Sequence, residues 1–315
     1  MSRKTFLRFA APAAAVLAAT ALAGCGSTSS SGTSPLAGSA ATGSVVVGSD
    51  NFAESILLAD VYGQALAAKG VKVSYKLDIG SREVTYGLVK SGAITLKPEY
   101  NGALLSYLDS SAAQTSTSEV DSAITAHLAS GLEILTPSTA QDNDTLTLSK
   151  QEAATYGLSK GATISDFITK LDGKPIVIGG SPEFQTRTEG LVGLEQDYGL
   201  KASQITYKSL DAGGPLTEKA LTSGDVQAGD LFTTDPTISQ GGLLTLVDNK
   251  NIFGVQDVLP LTNKSLSATG VAALNAVDAQ LTSDVLLQLD TEVQVQKEDP
   301  LTVANAWLKS VGLSS

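Results

Sequence analysis

The 315-residue sequence contains one cysteine, one histidine, one methionine and one tryptophan. One thiol cannot close an intrachain disulfide, and with a single imidazole it excludes the usual Cys/His zinc sets. Any Ser-His-Asp or Cys-His scheme must run through His127. That residue sits in the helical pattern Ile124-Thr125-Ala126-His127-Leu128, where a surface or packing role is the simpler reading. A Gly-x-Ser-x-Gly elbow, a P-loop and a dinucleotide Gly-x-Gly-x-x-Gly are also missing. Positive charge is scarce as well: 21 Lys and Arg stand against 32 Asp and Glu, a formal net charge of −11. Such a surface argues against nucleic acid, and against anionic lipid held through basic patches. The apolar run Phe9–Ala23 is shorter than the roughly 20 residues a spanning helix needs.

What is present begins with that run. Arg3, Lys4 and Arg8 precede it, no acid interrupts it, and it closes on Leu22-Ala23-Gly24-Cys25. A basic start, a short apolar segment and small residues at the cut describe a secretory signal. Small residues directly before a cysteine resemble a bacterial lipobox, in which the thiol is acylated and becomes the new N-terminus. Residues 1–24 are therefore read as a lipoprotein signal peptide and Cys25 as the lipidation site, on the extracytoplasmic face of the cell membrane. An ordinary cleaved signal with an incidental cysteine is the alternative. Removing the signal takes the formal charge to −14. Residues 25–44, nearly all Gly, Ser, Thr and Ala, form a flexible linker whose reach grows as about 5–6 Å × √n.

From Val45 the composition changes to alternating apolar and helical patterns, over a length that favours two lobes. Val45–Gly48 reads as a buried strand, and Glu54–Lys69 as a helix stopped by Gly70. Strand Val71–Leu77, a helix opening at Gly80-Ser81-Arg82-Glu83, strand Ile94–Lys97 and helix Gly102–Leu108 follow. Ser118 opens a further helix, and Glu133–Leu135 is the next strand. The alternation then restarts, with helices near 151–156, 164–170 and 190–197 and strands at 175–178 and 204–207. Pro215 begins a helix that ends at Gly224, Val226–Phe232 leads to Thr233-Thr234-Asp235, and after Leu243–Val247 the chain ends in helices. Strands alternating with helices imply an α/β fold. Ligands of such sheets lie beyond the carboxyl ends of the strands, which directs attention to the loops there.

Those loops carry a resemblance. Val47-Gly48-Ser49-Asp50-Asn51-Phe52-Ala53-Glu54-Ser55 looks like the opening of substrate-binding lipoproteins of osmoprotectant ABC transporters (glycine betaine, choline, carnitine, proline betaine). So do Ile79-Gly80-Ser81-Arg82-Glu83-Val84 and Pro98-Glu99-Tyr100-Asn101-Gly102. Ser181-Pro182-Glu183-Phe184, Gly193-Leu194 with Tyr198-Gly199-Leu200, Phe232-Thr233-Thr234-Asp235 and Ala306-Trp307-Leu308 follow in the family's order. The resemblance implies a bilobed periplasmic-binding-protein fold of type II, two α/β lobes joined by two hinge strands. The crossings are expected near Gln141–Asp144 and Leu244–Val247, with residues 45–140 plus 246–315 as lobe 1 and 141–245 as lobe 2.

A quaternary ammonium has no N–H, so aromatic faces must hold it through cation–π attraction, while any carboxylate on the ligand needs donors. Tyr100 matches the family's tyrosine in the Pro-Glu-Tyr loop, and Phe232 stands where many relatives place a tyrosine. Phe52 and Phe184 lie on candidate loops, as do Ser49, Asn51 and Ser81. Arg82 is read as a donor to an anion or as a partner of Glu83 or Glu99. Asn143 and Asp144 match a hinge segment that often contacts ligand, with a purely structural hinge role as the alternative. Thr234 and Asp235 are anchors, or Asp235 caps the helix after Pro236. Arg187 is expected to fix the loop after Phe184, and Tyr198 to pack. The sequence departs from the family at Gly92-Ala93-Ile94-Thr95-Leu96-Lys97 and at Asn101, and Phe232 lacks the usual hydroxyl.

The resulting expectation is a monomeric, non-enzymatic solute receptor with no cofactor and no metal. It would capture a quaternary-amine osmoprotectant between its lobes for an ABC permease and its ATPase subunit. Ergothioneine or another betaine in the same role, a sensor lipoprotein, and a surface hydrolase with paired carboxylates are the rivals.

Overall fold

A computed structural model describes residues 44–112 and 116–314. The expected signal, Cys25 and the linker up to Gly43 lie outside the described residues, and Ser44 already belongs to the first strand.

Two five-stranded sheets organise the chain. The first contains β1 (Ser44–Gly48), β2 (Lys72–Lys76), β3 (Leu96–Tyr100) and β4 (Leu132–Ile134). The second contains β5 (Asp144–Ser149), β6 (Ile176–Gly180), β7 (Ile205–Ser209), β8 (Ala228–Phe232) and β9 (Leu243–Thr245). The last strand, β10 (Val258–Asn263), returns to the first sheet. The orders are β2-β1-β3-β10-β4 and β7-β6-β8-β5-β9. Each sheet is parallel through its first three strands, and its fourth, β10 or β5, runs antiparallel to both neighbours. The fold is thus α/β and bilobed.

The period of two in β1 explains why the first sheet is buried on both sides. Val45 and Val47 join a core with Leu57, Leu66, Leu274 and Trp307, while Val46 faces Ile94, Leu105, Ile124 and Leu261. Helix Ala53–Ala68 is covered nearly all round, by the sheet and by the C-terminal helices Ala268–Asp278 and Pro300–Ser310. Its Tyr62 donates to Asp278 Oδ1 at 2.8 Å, satisfying a buried hydroxyl. In the second lobe Ile176 and Ile178 pack with Leu146, Phe167 and Leu194, and Val177 turns to Leu221 and Leu231. Among the described residues no helix is long and apolar enough to cross a membrane.

The structure differs from the sequence reading at β5, where no element was expected beyond the crossing at Gln141–Asp144, and at β10, which falls in the stretch expected as helices. Segments 141–143 and 254–257 lie side by side between the sheets: Asp142 N donates to Gln256 O at 3.1 Å, and Asn143 Nδ2 to Gly254 O at 2.7 Å. Leu246 and Phe253 pack in the second core. We therefore place the second crossing at Gly254–Asp257 rather than near Leu244–Val247.

The turn that carries Phe184 tolerates only glycine at its far end. A Cβ on Gly190 would lie 2.1 Å from the Phe184 carbonyl oxygen, a backbone atom with nowhere to go. Gly190→Ala should cost roughly 1–3 kcal/mol, the range for forced overpacking, read as a lowered midpoint in urea melts. An unchanged midpoint would show that this loop has room to shift.

Candidate ligand-binding site

The carboxyl ends of both sheets face each other across a cleft. It is lined from the first lobe by Asn51, Phe52, Arg82 and Tyr100 among others, and from the second by Asp144, Phe184, Asp230 and Phe232. Phe52 bridges the aromatic wall: its ring centroid is 6.1 Å from Tyr100 and 5.6 Å from Phe232. Phe232 reaches this position because residue 213 is glycine. At φ +59° a Cβ there would be strained, and it would also lie 2.3 Å from the ring.

The floor of the first lobe is a closed set of four charges. Lys97, fully buried, donates to Asp50 at 2.7 and 2.9 Å, to Glu99 at 2.8 Å and to the Thr85 hydroxyl at 2.9 Å. Arg82 grips Glu99 through Nε and Nη2 at 2.9–3.0 Å. Burial opposes the Glu99 charge, yet Arg82 and Lys97 hold its carboxyl well below the usual range. Lys97 and Glu99 share a face of β3 because they are two residues apart. Lys97 is the first departure from the family pattern, and it forms the centre of this cluster.

A second cluster joins the lobes. Thr234 Oγ1 lies 2.6 Å from Glu54 Oε2 and 2.7 Å from Asp142 Oδ1, and Tyr100 Oη donates to Glu54 Oε1. One hydroxyl proton cannot serve two carboxylates, so Glu54 or Asp142 must itself carry a proton. Burial, then the Asp290 charge, pushes Glu54 up; burial and Glu54 do the same to Asp142. Burial raises Asp290 to about 7. At the lip, Arg187 donates to both oxygens of Glu83 at 3.1 and 3.3 Å. Arg187 thus crosses to the other lobe, where the sequence suggested it would fix its own loop.

Eight of the twelve expected residues line this cleft together: Asn51, Phe52, Ser81, Arg82, Tyr100, Asp144, Phe184 and Phe232. Of these, Phe184 is 2 % exposed and stacks between Tyr207 and Phe253 in the second core. Ser49 does not line it; its hydroxyl accepts from Asp78 N at 2.8 Å and shapes the loop. Asn143 braces the two crossings. Thr234 and Asp235 line a neighbouring cavity with Glu54 and Gly213. Asp235 caps helix Pro236–Ser239 through Thr237 N, the alternative the sequence offered. Sequence reasoning missed Asp50, Lys97, Asp142, Glu189 and Asp230. A lysine and glutamate two apart in an otherwise apolar strand, and the acid in Ala228-Gly229-Asp230-Leu231-Phe232, were the available signals.

Comparison with known proteins gives the family. Residues 43–310 match the OpuAC family model, described as the substrate binding domain of the ABC-type glycine betaine transport system. The chain is 30% identical over 281 residues to the glycine betaine-binding protein YehZ of Escherichia coli, covering 85% of this chain and 90% of that one. A solved glycine betaine/carnitine/choline ABC transporter structure superposes with a TM-score of 0.67 at 16% identity, over 85% of this chain and 99% of that one. Apo YehZ from Escherichia coli gives 0.60 at 26% identity, over 86% and 99%.

The four-charge floor is balanced, so breaking it strands charge. Glu99→Gln should cost roughly 3–5 kcal/mol by leaving Arg82 and Lys97 against Asp50 alone. Adding Lys97→Met should recover part of that loss in the same chemical melts, and no recovery would mean the residues do not act as a unit.

The interlobe acids set a pH dependence. Glu54, Asp142 and Asp290 titrate higher folded than unfolded, so their contribution is complete below about pH 4 and is lost as pH rises, for Asp290 through about 7. Glu99 and Glu83 are lowered, the latter to about 2, so theirs is lost as pH falls below about 4. Thermal stability should peak near about pH 5 and decline toward pH 8, and Asp290→Asn should flatten that decline. A plateau from pH 5 to 8 in the parent protein would refute the assignment.

Proposed function

The chain belongs to the OpuAC family of substrate-binding domains of ABC-type glycine betaine transport systems, and from that footing we propose that it captures a quaternary-amine solute in the interlobe cleft for an ABC permease. The observation that carries this reading is the wall of Phe52, Tyr100 and Phe232, drawn from both lobes and meeting in one cleft. A quaternary ammonium cannot be held by hydrogen bonds, and its charge is spread over methyl groups. Aromatic faces supply both the apolar contact and the electrostatic attraction. Because the wall is complete only when the lobes meet, a solute seated on it binds the closed form better, and that difference drives closure.

The same reading places the protein on the extracytoplasmic face, tethered through an acylated Cys25. The acidic surface keeps it off the bilayer except at that tether. We assign ligand contact to Asn51, Phe52, Ser81, Arg82, Tyr100, Asp144, Phe184 and Phe232. Ser49, Asn143, Thr234 and Asp235 shape the loops and join the lobes. Arg82 is oriented by Glu99, which takes its Nε and Nη2.

The test is calorimetry of the purified protein with glycine betaine, choline, carnitine and ergothioneine. A quaternary amine should bind, and Phe232→Ala should weaken it by roughly 0.5–2 kcal/mol, the range for a cation over a ring. Tyr198→Ala should lower stability and leave affinity unchanged, because its hydroxyl is committed to Asp248 in the second lobe. Wild-type affinity in folded Phe232→Ala and Phe52→Ala variants would remove the aromatic assignment.

A further inference from the structure

Strand pairing puts two acids beside the aromatic wall. Asp144 on β5 lies opposite Phe232 on β8, and Asp230 is two residues before Phe232, so all three project from one face of the sheet at the cleft. Asp230 is 2 % exposed and lines the cleft, and its Oδ1 is buried without a hydrogen-bond partner. The group beside it is another acid, Asp144, and burial together with that neighbouring charge favours one proton held between the two carboxyls. Neighbouring donors have acceptors of their own: Tyr207 Oη donates to Ser181 O at 2.7 Å, Arg82 Nε and Nη2 to Glu99, and Arg187 Nη2 to Glu83.

An unmet buried acceptor costs free energy until a donor reaches it. The charge balance of the walls points the same way: six acids line the cleft, and only Arg82 and Arg187 oppose them. A solute ending in a carboxylate would meet the negative charge of the Asp144–Asp230 pair, with Arg82 and Arg187 each already bound to a glutamate. A cation with a hydroxyl or N–H at its other end would offset the charge and fill the vacant acceptor.

We propose that the Asp144–Asp230 carboxyl pair anchors the donor end of the solute, so that this cleft selects a cationic amine bearing an O–H or N–H over a zwitterionic betaine. This rests on the quaternary-amine reading above and narrows it. The aromatic wall holds the ammonium, and Asp230 accepts from the far end. Discrimination comes from repulsion as much as from attraction.

Choline and glycine betaine, which share a trimethylammonium and differ at the far end, are the probes. Calorimetry of the purified protein should find choline at least about tenfold tighter, the worth of one hydrogen bond to a charged group. Asp230→Asn should narrow that ratio by about tenfold, and Asp144→Asn should shift it in the same direction. Native thermal melts would qualify each variant, and either folded variant suffices. Equal or tighter binding of glycine betaine by the parent protein overturns the proposal while leaving the quaternary-amine reading intact. An unchanged ratio in folded variants does the same. Binding of neither probe by folded parent protein removes that reading and this inference with it.

Discussion

Four buried charges, Asp50, Lys97, Glu99 and Arg82, hold the first lobe's half of the cleft in place. They come from three separate elements: the loop after β1, the strand β3 and the start of helix Arg82–Ser91. Burying even one of them alone would cost several kcal/mol, so none can leave the group without stranding another. Shape follows from that constraint. The Asp50 loop cannot drift from β3, which fixes Phe52 two residues later against Tyr100 at the end of the same strand. The helix start that carries Ser81 and Glu83 is pinned by Arg82, which sets the lip from which Glu83 meets the other lobe. An aromatic wall needs rings held in place, and here electrostatics in the floor hold them.

The second lobe solves the same problem through its strand ladder. Its cleft residues sit at the ends of β5 and β8, adjacent antiparallel strands, and the ladder itself fixes Asp144, Asp230 and Phe232 relative to one another. Close packing does the rest. Phe232 lies over Gly213, and Phe184 is wedged between Tyr207 and Phe253. The floor of one lobe is therefore polar and saturated, whereas the other keeps an acceptor open. That asymmetry gives the cleft a direction.

Much of this was legible in the sequence where local physics decides. Helix Ala53–Ala68 announced itself by apolar spacing and stopped at a left-handed Gly70, and helix Pro215–Ser223 by Pro215 and Gly224. The parallel strands followed from alternation with helices. The antiparallel fourth strands did not, because Pro260 interrupts the strand pattern of Val258-Leu259-Pro260-Leu261 ahead of the C-terminal helices. Proline is expected at sheet edges. It is tolerated here because Pro260 faces Pro98, a position where neither strand asks the other for an N–H. In the site, the aromatic positions were readable from motif order. The charged clusters were not, since Lys97 and Asp50 are 47 residues apart and Thr234 and Glu54 are 180 apart. Such groups acquire meaning only when the fold brings them together.

The Glu83–Arg187 bridge at the lip has a consequence of a different kind. Both partners are partly in water, at 45% and 30% exposure, so dissolved ions can stand between them. The Debye length shrinks from about 10 Å at 0.1 M to about 3 Å at 1 M, and an exposed pair worth at most about 1 kcal/mol fades with it. The saturated floor, sealed from solvent, feels none of this. Ionic strength therefore acts on the rim that joins the lobes and leaves the chemistry of recognition alone. In a brine the door swings more freely while the lock keeps its key.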